Sequence, residues 1–178
     1  MDEQDSRADG AAAGAGPGSL SHIAAGPDGA RARMVDVSGK AATERRALAR
    51  ASVEFPPGLL EVVMAGGGPK GPIEEVARVA GVMAAKRTGD LIPMCHPLGL
   101  DVVDIQFAAV GPDSLAVTCE ARCTGPTGVE MEAMVGASIA ALTVYDMTKG
   151  ASKAISVGAV ELLEKSGGKS GRWVREEG

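Results

Sequence analysis

Residues 130–149 read Glu-Met-Glu-Ala-Met-Val-Gly-Ala-Ser-Ile-Ala-Ala-Leu-Thr-Val-Tyr-Asp-Met-Thr-Lys, an apolar run with charge at both ends. Met134, Ala137, Ala141 and Val144 recur at helical spacing, which predicts a buried amphipathic helix. Its surroundings must be built from Ala, Val, Leu, Ile and Met, because Phe55, Phe107, Tyr145 and Trp173 are the only aromatic residues of the chain. Glu130 and Glu132 fall at the helix start, where its dipole favours acids, and Asp146 and Lys149 share one face of the last turn. An acid beside a base at the end of an apolar helix suits proton transfer, since apolar walls perturb both groups. A capping acid pair and a surface ion pair give the same pattern.

A chain of 178 residues suits one domain with a real core. The net charge of −5 and the scarcity of aromatic rings argue against nucleic-acid partners, while local lysine clusters still allow one phosphorylated small molecule. Cys95, Cys119 and Cys123 form no CxxC pair, which fits reduced thiols in a cytoplasm. With only two histidines, one of them His22 near the N-terminus, a His-rich metal site is not expected. Neither a membrane span nor a secretory leader is legible, so a soluble, cytoplasmic protein is expected.

Residues 1–33 are rich in Ala, Gly, Asp, Ser and Pro and predict a disordered N-terminal tail, with a single domain over residues 34–178. Residues 46–55 alternate, with Ala47, Ala49, Ala51, Val53 and Phe55 on one side, and predict a half-buried strand. A short helix is expected over residues 59–65. Pro72 suits a first helical position, followed by a stripe of Ile73, Val76, Val79, Ala80 and Met83 reaching about Lys86. Val103, Ile105 and Phe107 alternate before the Gly111-Pro112-Asp113 turn into residues 115–123, an antiparallel hairpin, and further strands are expected at 159–163 and around Trp173. Hairpin-paired strands with two substantial helices indicate an α+β sandwich, an antiparallel sheet with helices packed on one face.

Residues 86–98 place two cations, an acid, Cys95 and His96 in one loop, with Pro93 and Pro97 stiffening the backbone around the histidine. Binding or acid-base work at His96 and a satisfied structural histidine both fit. Adjacent residues of an extended loop point opposite ways, so a Cys95-His96 nucleophile carries little weight. The loops 66–71 and 166–171 are glycine-rich and hold Lys70 and Lys169, a combination that suits phosphate oxygens and also ordinary solvated turns. The second has Leu163 where a Walker A motif needs glycine, so it is not a P-loop.

Six motifs in order, Met-Val-Asp-Val-Ser (34–38), Ala-Ala-Lys-Arg-Thr (84–88), Leu-Ile-Pro-Met-Cys-His-Pro-Leu (91–98), Thr-Gly-Val-Glu-Met-Glu-Ala (127–133), Tyr-Asp-Met-Thr-Lys (145–149) and Lys-Ser-Gly-Gly-Lys-Ser-Gly (165–171), resemble the cyclic pyranopterin monophosphate synthase family, molybdenum cofactor biosynthesis protein C. The resemblance spans residues 34 to about 175 and implies a ferredoxin-like catalytic domain assembled as dimers into a homohexamer. The implied activity is that of a phosphorus-oxygen lyase, converting cyclised 7,8-dihydroguanosine triphosphate into cyclic pyranopterin monophosphate with release of pyrophosphate. No redox cofactor is implied, and Mg²⁺ accompanying the triphosphate is left open.

By the same resemblance Asp146, Lys149 and Lys70 are catalytic, and Met94, Cys95, His96, Met131 and Glu132 contact substrate. Asp36, Lys40, Glu130 and Lys169 match further pocket positions. Pro69 and Pro72 around Lys70, and Thr148 in place of a frequent cysteine, depart from the family pattern. The chemistry asks for repeated proton transfers, which lysines perform as bases where burial brings their pKa down, and for cations around the triphosphate. Glu132 and Asp146 are fourteen residues apart, roughly 21 Å along a helix. One small substrate cannot bridge that gap within one chain, so a two-fold partner is expected to complete the pocket. A non-catalytic oligomeric binder of nucleotide phosphates is the competing reading, and a purely structural assembly protein a third.

Overall fold

The computed structural model describes residues 23–26, 29–66 and 71–176. In the N-terminal unit, residues 1–35, β1 (Ile23–Gly26) and β2 (Gly29–Ala32) pair antiparallel, so the stretch expected as a tail includes a small hairpin. Residues 1–22 lie outside the described residues.

The second unit, residues 36–178, holds β3 (Thr43–Glu54), α1 (Leu59–Gly66), α2 (Ile73–Ala85), the single turn α3 (Thr88–Leu91), β4 (Val102–Ala109), β5 (Ser114–Gly125), α4 (Glu130–Thr148), β6 (Ser156–Ser166) and β7 (Trp173–Val174). Its sheet has the order β4-β5-β3-β6-β7 with every neighbouring pair antiparallel. β3 and β4 therefore run parallel with β5 between them, and β5 and β6 run parallel with β3 between them. Two interlocked split β-α-β units of this kind are the ferredoxin-like arrangement.

Alternation in β3 sends Ala47, Ala49, Ala51 and Val53, all fully buried, into the core. There they join Val117, Cys119 and Ala121 of β5 and Ala133, Ala137, Ala140, Ala141 and Val144 of α4. With so many alanines, packing density comes from close approach of backbones rather than from bulky side chains. α2 and α4 cross at two glycines. A Cβ on Gly81 would meet Ile105 and stand 2.8 Å from the Gly136 carbonyl oxygen, and one on Gly136 would stand 2.6 Å from Cys119 Sγ.

This crossing overturns the stripe expected on α2. Its buried face is Ile73, Ala77, Gly81, Ala84 and Ala85, whereas Val76, Val79 and Met83 are 39, 58 and 48% exposed. Only small residues fit where two helix backbones meet, so the larger apolar side chains are displaced outward. Pro72 likewise caps α2 rather than opening it, its carbonyl accepting from Val76 N at 3.2 Å.

Candidate active site

Three chain ends meet at one end of the sheet. The pairings Thr43↔Gly125 and Arg46↔Ser166 align the start of β3 with the ends of β5 and β6, and α4 begins at Glu130 just beyond. Between them lies a cavity of about 580 Å³, whose wall includes five cations, Lys40, Arg45, Arg46, Lys165 and Lys169, and the carboxylate of Glu130. The second glycine-rich loop lines this cavity. Gly67, Gly68, Pro69 and Lys70 of the first lie outside the described residues.

The cations divide into braces and donors. Arg45 donates through Nε to Gly125 O at 3.2 Å and through Nη2 to Pro126 O at 3.3 Å, and its guanidinium lies across Gly168, where a Cβ would stand 2.6 Å from Cζ. Gly168 also needs its φ of +68°, which side chains resist. Arg46 donates to Glu120 Oε2 at 2.9 and 2.6 Å and lies 3.1 Å from Glu164 Oε2. Glu120 first and Glu164 second hold its proton more firmly than usual. Both arginines are committed to the walls. Lys165, by contrast, stands 3.6 Å from Glu130 Oε1 and donates to Ser170 Oγ at 2.5 Å, while Lys40 and Lys169 are exposed at the rim. Glu130 folds back over Gly128, where a Cβ would stand 2.6 Å from its carboxyl carbon.

Glu132 follows two residues later, about 200° further round the helix, and faces a different space. It is 4% exposed and lines a cavity of about 50 Å³ with Lys86, Arg87, Asp90 and Pro97. Burial pushes its carboxyl up and the charge of Glu130 adds to this, against the opposing helix-start hydrogen bond. The Cys95 thiol is raised by burial and then by Glu132, which sets the 94–96 loop beside the start of α4. Cys95 is therefore held as a thiol. Met94 and His96 are half-buried on the same loop, whose turn closes with Cys95 N donating to Ile92 O at 3.0 Å. Met131 is half-buried and lines neither cavity. Asp36 also lies outside both linings. It accepts from Ser38 N at 2.9 Å and Ser38 Oγ at 2.7 Å, in a turn that leads to Lys40.

Asp146 and Lys149 are at the other end of α4, with Lys149 Nζ donating to Asp146 Oδ1 at 2.5 Å and both side chains about half exposed. Asp146 raises the Lys149 pKa, first by this hydrogen bond and then by its charge. The lowered lysine pKa expected for a base is thus reversed here, because exposure leaves little desolvation to oppose the partner carboxylate. Sequence reasoning also missed Lys165, Arg45 and Arg46 as cavity residues. Their signal is cross-strand register, which periodicity within one strand does not carry.

Among the described residues, no group of three or more His, Cys, Asp or Glu is arranged to hold a metal ion, and no helix is long and apolar enough to cross a membrane. The fold and the cavity define a ferredoxin-like α+β domain with a cation-lined cavity at one end of its sheet. The chain belongs to the MoaC family, whose model matches residues 34–168. It is similar to the cyclic pyranopterin monophosphate synthase of Novosphingobium aromaticivorans, 50% identical over 158 residues that cover 89% of this chain and 98% of that protein. It is also similar to the protein of the same name from Chloroflexus aggregans, 51% identical over 163 residues covering 89% of this chain and 94% of the relative.

Proposed function

We propose that the chain is a cyclic pyranopterin monophosphate synthase of molybdenum cofactor biosynthesis, a phosphorus-oxygen lyase acting on cyclised 7,8-dihydroguanosine triphosphate. Beside family membership, the observation that carries this reading is the cavity of about 580 Å³ whose wall holds Lys40, Lys165 and Lys169 together with the carboxylate of Glu130. The lysines suit the triphosphate and the departing pyrophosphate, and Glu130 and Glu132 suit N–H donors of the guanine-derived ring. Met94, Cys95, His96 and Met131 would contact the same ring. Asp146 would take protons as general base. Lys149, kept charged by Asp146, would return them as acid, and Lys70 would assist.

The pocket would be shared between two chains. Neither cavity at the N-terminal end of α4 includes Asp146 or Lys149, and the helix separates Glu132 from Asp146 by roughly 21 Å. A two-fold partner would bring its Asp146 and Lys149 to the lysine cavity, with three such dimers forming a hexamer. The exposed stripe of Val76, Val79 and Met83 supports association, since apolar rows of this kind mark contact surfaces. Reduced thiols fit a cytoplasmic location.

Incubation with the cyclised substrate tests the assignment. Pyrophosphate release is expected, lost in Asp146→Asn and strongly reduced in Lys149→Ala. Undiminished release by both variants would defeat it, and binding without release would leave the non-catalytic binder.

A further inference from the structure

The glycine-rich loop is held at both feet, and one foot lies outside the cavity. Beyond the loop, β7 pairs with β6 at Lys165↔Trp173 and Glu164↔Val174, and Arg175 extends this by donating its N to Leu163 O at 2.8 Å and its Nε to Leu162 O at 2.9 Å. So short a ladder holds a strand poorly by itself. Side chains complete the attachment. Arg172 Nε lies 2.7 Å from Glu164 Oε1, and Arg175 Nη1 lies 3.6 Å from Glu161 Oε1. Glu164 turns its other oxygen to Arg46 at 3.1 Å, Arg46 meets Glu120 at 2.6 Å, and Glu120 meets Arg122 at 2.7 Å. An unbroken series of alternating charges, Arg122, Glu120, Arg46, Glu164 and Arg172, thus ties β5, β3, β6 and the foot of β7 into one sheet face.

Inside the loop, Gly167, Gly168 and Gly171 have positive φ and no side chains of their own to anchor it. Beside the Arg45 guanidinium packed over Gly168, its side-chain hydrogen bonds are Lys165 donating to Ser170 on the cavity side and Arg172 donating to Glu164 on the other. We propose that Arg172 and Glu164 are positioning residues for anion binding, holding the 166–171 loop and its Lys169 against the cavity without touching the ligand. The inference rests on the reading of this cavity as the phosphate site. Exposed ion pairs contribute little to global stability, but this one fixes a glycine-rich segment whose freedom would otherwise be lost on binding.

Trp173, the only tryptophan of the chain, is the β7 partner of Lys165, so its emission reports the strap. The full-length oligomer is titrated with pyrophosphate while Trp173 fluorescence is followed, and turnover is measured on the cyclised substrate. In Arg172→Ala the pyrophosphate dissociation constant and KM are expected to rise about five-fold, the loss of roughly one exposed charged pair. kcat should stay within about two-fold on the same scale, and Arg172→Lys should restore KM. Arg175→Ala, which loosens the same strap elsewhere, should raise KM less and serves if Arg172→Ala fails to fold. Lys165→Ala separates the two readings. If it leaves pyrophosphate binding intact, the cavity is not the phosphate site. If it weakens binding while both strap variants keep the wild-type KM, the positioning role is overturned.

Discussion

Lys149 Nζ donates to Asp146 Oδ1 at 2.5 Å at the end of α4, and at the start of the same helix Lys165 lies 3.6 Å from Glu130. Each end of α4 therefore carries an acid and a lysine, but in different settings. The first pair is half exposed and lies wholly on the last turn. The second joins two elements across a cavity wall.

Asp146 raises the pKa of its neighbour Lys149. A lysine whose pKa is raised stays charged to higher pH, so removing the carboxylate moves its titration downward. In Asp146→Asn the Lys149 ammonium should titrate at lower pH than in the wild type, followed by NMR of labelled lysine side chains. The same variant should lose about 10²- to 10⁴-fold in kcat. An unmoved Lys149 titration would show that the pair does not form in solution.

The proposed sharing of each pocket between two chains predicts that inactive variants complement one another. Asp146→Asn breaks one end of the helix and Lys165→Ala the other, so a mixed dimer retains one pocket with both native halves. Random mixing of the two should recover about a quarter of wild-type turnover, since half of the dimers are mixed and each has one good pocket. A mixture as inactive as its components would place each pocket within a single chain.

Burial of Glu132 sets a pH dependence of stability. Its raised pKa means that the folded state binds more protons than the unfolded one between the ordinary glutamate range and the raised native value. Stability then falls as pH rises through that window and stays lower above it. Glu132→Gln should therefore have a higher urea midpoint than the wild type at neutral pH, with the two converging in acid. It should also raise KM about ten-fold through loss of a charged hydrogen bond. A neutral-pH midpoint below that of the wild type would refute the stability argument.

The helix crossing tolerates no added methyl group. At Gly81 an alanine gains ~1 kcal/mol in helix propensity, but its Cβ would stand 2.8 Å from the Gly136 carbonyl oxygen, a backbone atom with little room to yield. Overpacking of this kind costs roughly 1–3 kcal/mol, which leaves up to about 2 kcal/mol after the propensity gain, so Gly81→Ala should lower Tm by up to about 4–8 °C, and Gly136→Ala similarly. Gly150→Ala, which meets no atom within 4 Å, should leave Tm within about 1 °C.

The sheet was legible because β3 and most of β4 alternate, and α4 because its buried positions, Ala133, Ala137, Ala140, Ala141 and Val144 among them, recur at helical spacing. The face of α2 was not. Val76, Val79 and Met83 dominate any reading by size, whereas the packing at Gly81 is decided by how close two backbones come. The site was half legible for a similar reason. Lys169 advertises itself within a glycine-rich loop, but Arg45 and Lys165 are neighbours only because Ala47 pairs with Lys165 across two strands. β6 was also expected five residues long and runs from Ser156 to Ser166, since its register shifts against β3 blur the alternation.

In the proposed shared arrangement, α4 is a spacer of fixed length between two reaction centres. A change at Ala140, which touches no ligand in this arrangement, would displace the acid of one centre and the lysine cavity of its neighbour together. Deleting one residue from the middle of the helix would swing Asp146 by about 100° relative to Glu130 and so misalign both centres at once. The small residues on the buried face of this helix, Ala133, Gly136, Ala137, Ala140 and Ala141, would then act as a metrological constraint on a pair of sites, enforced far from either of them.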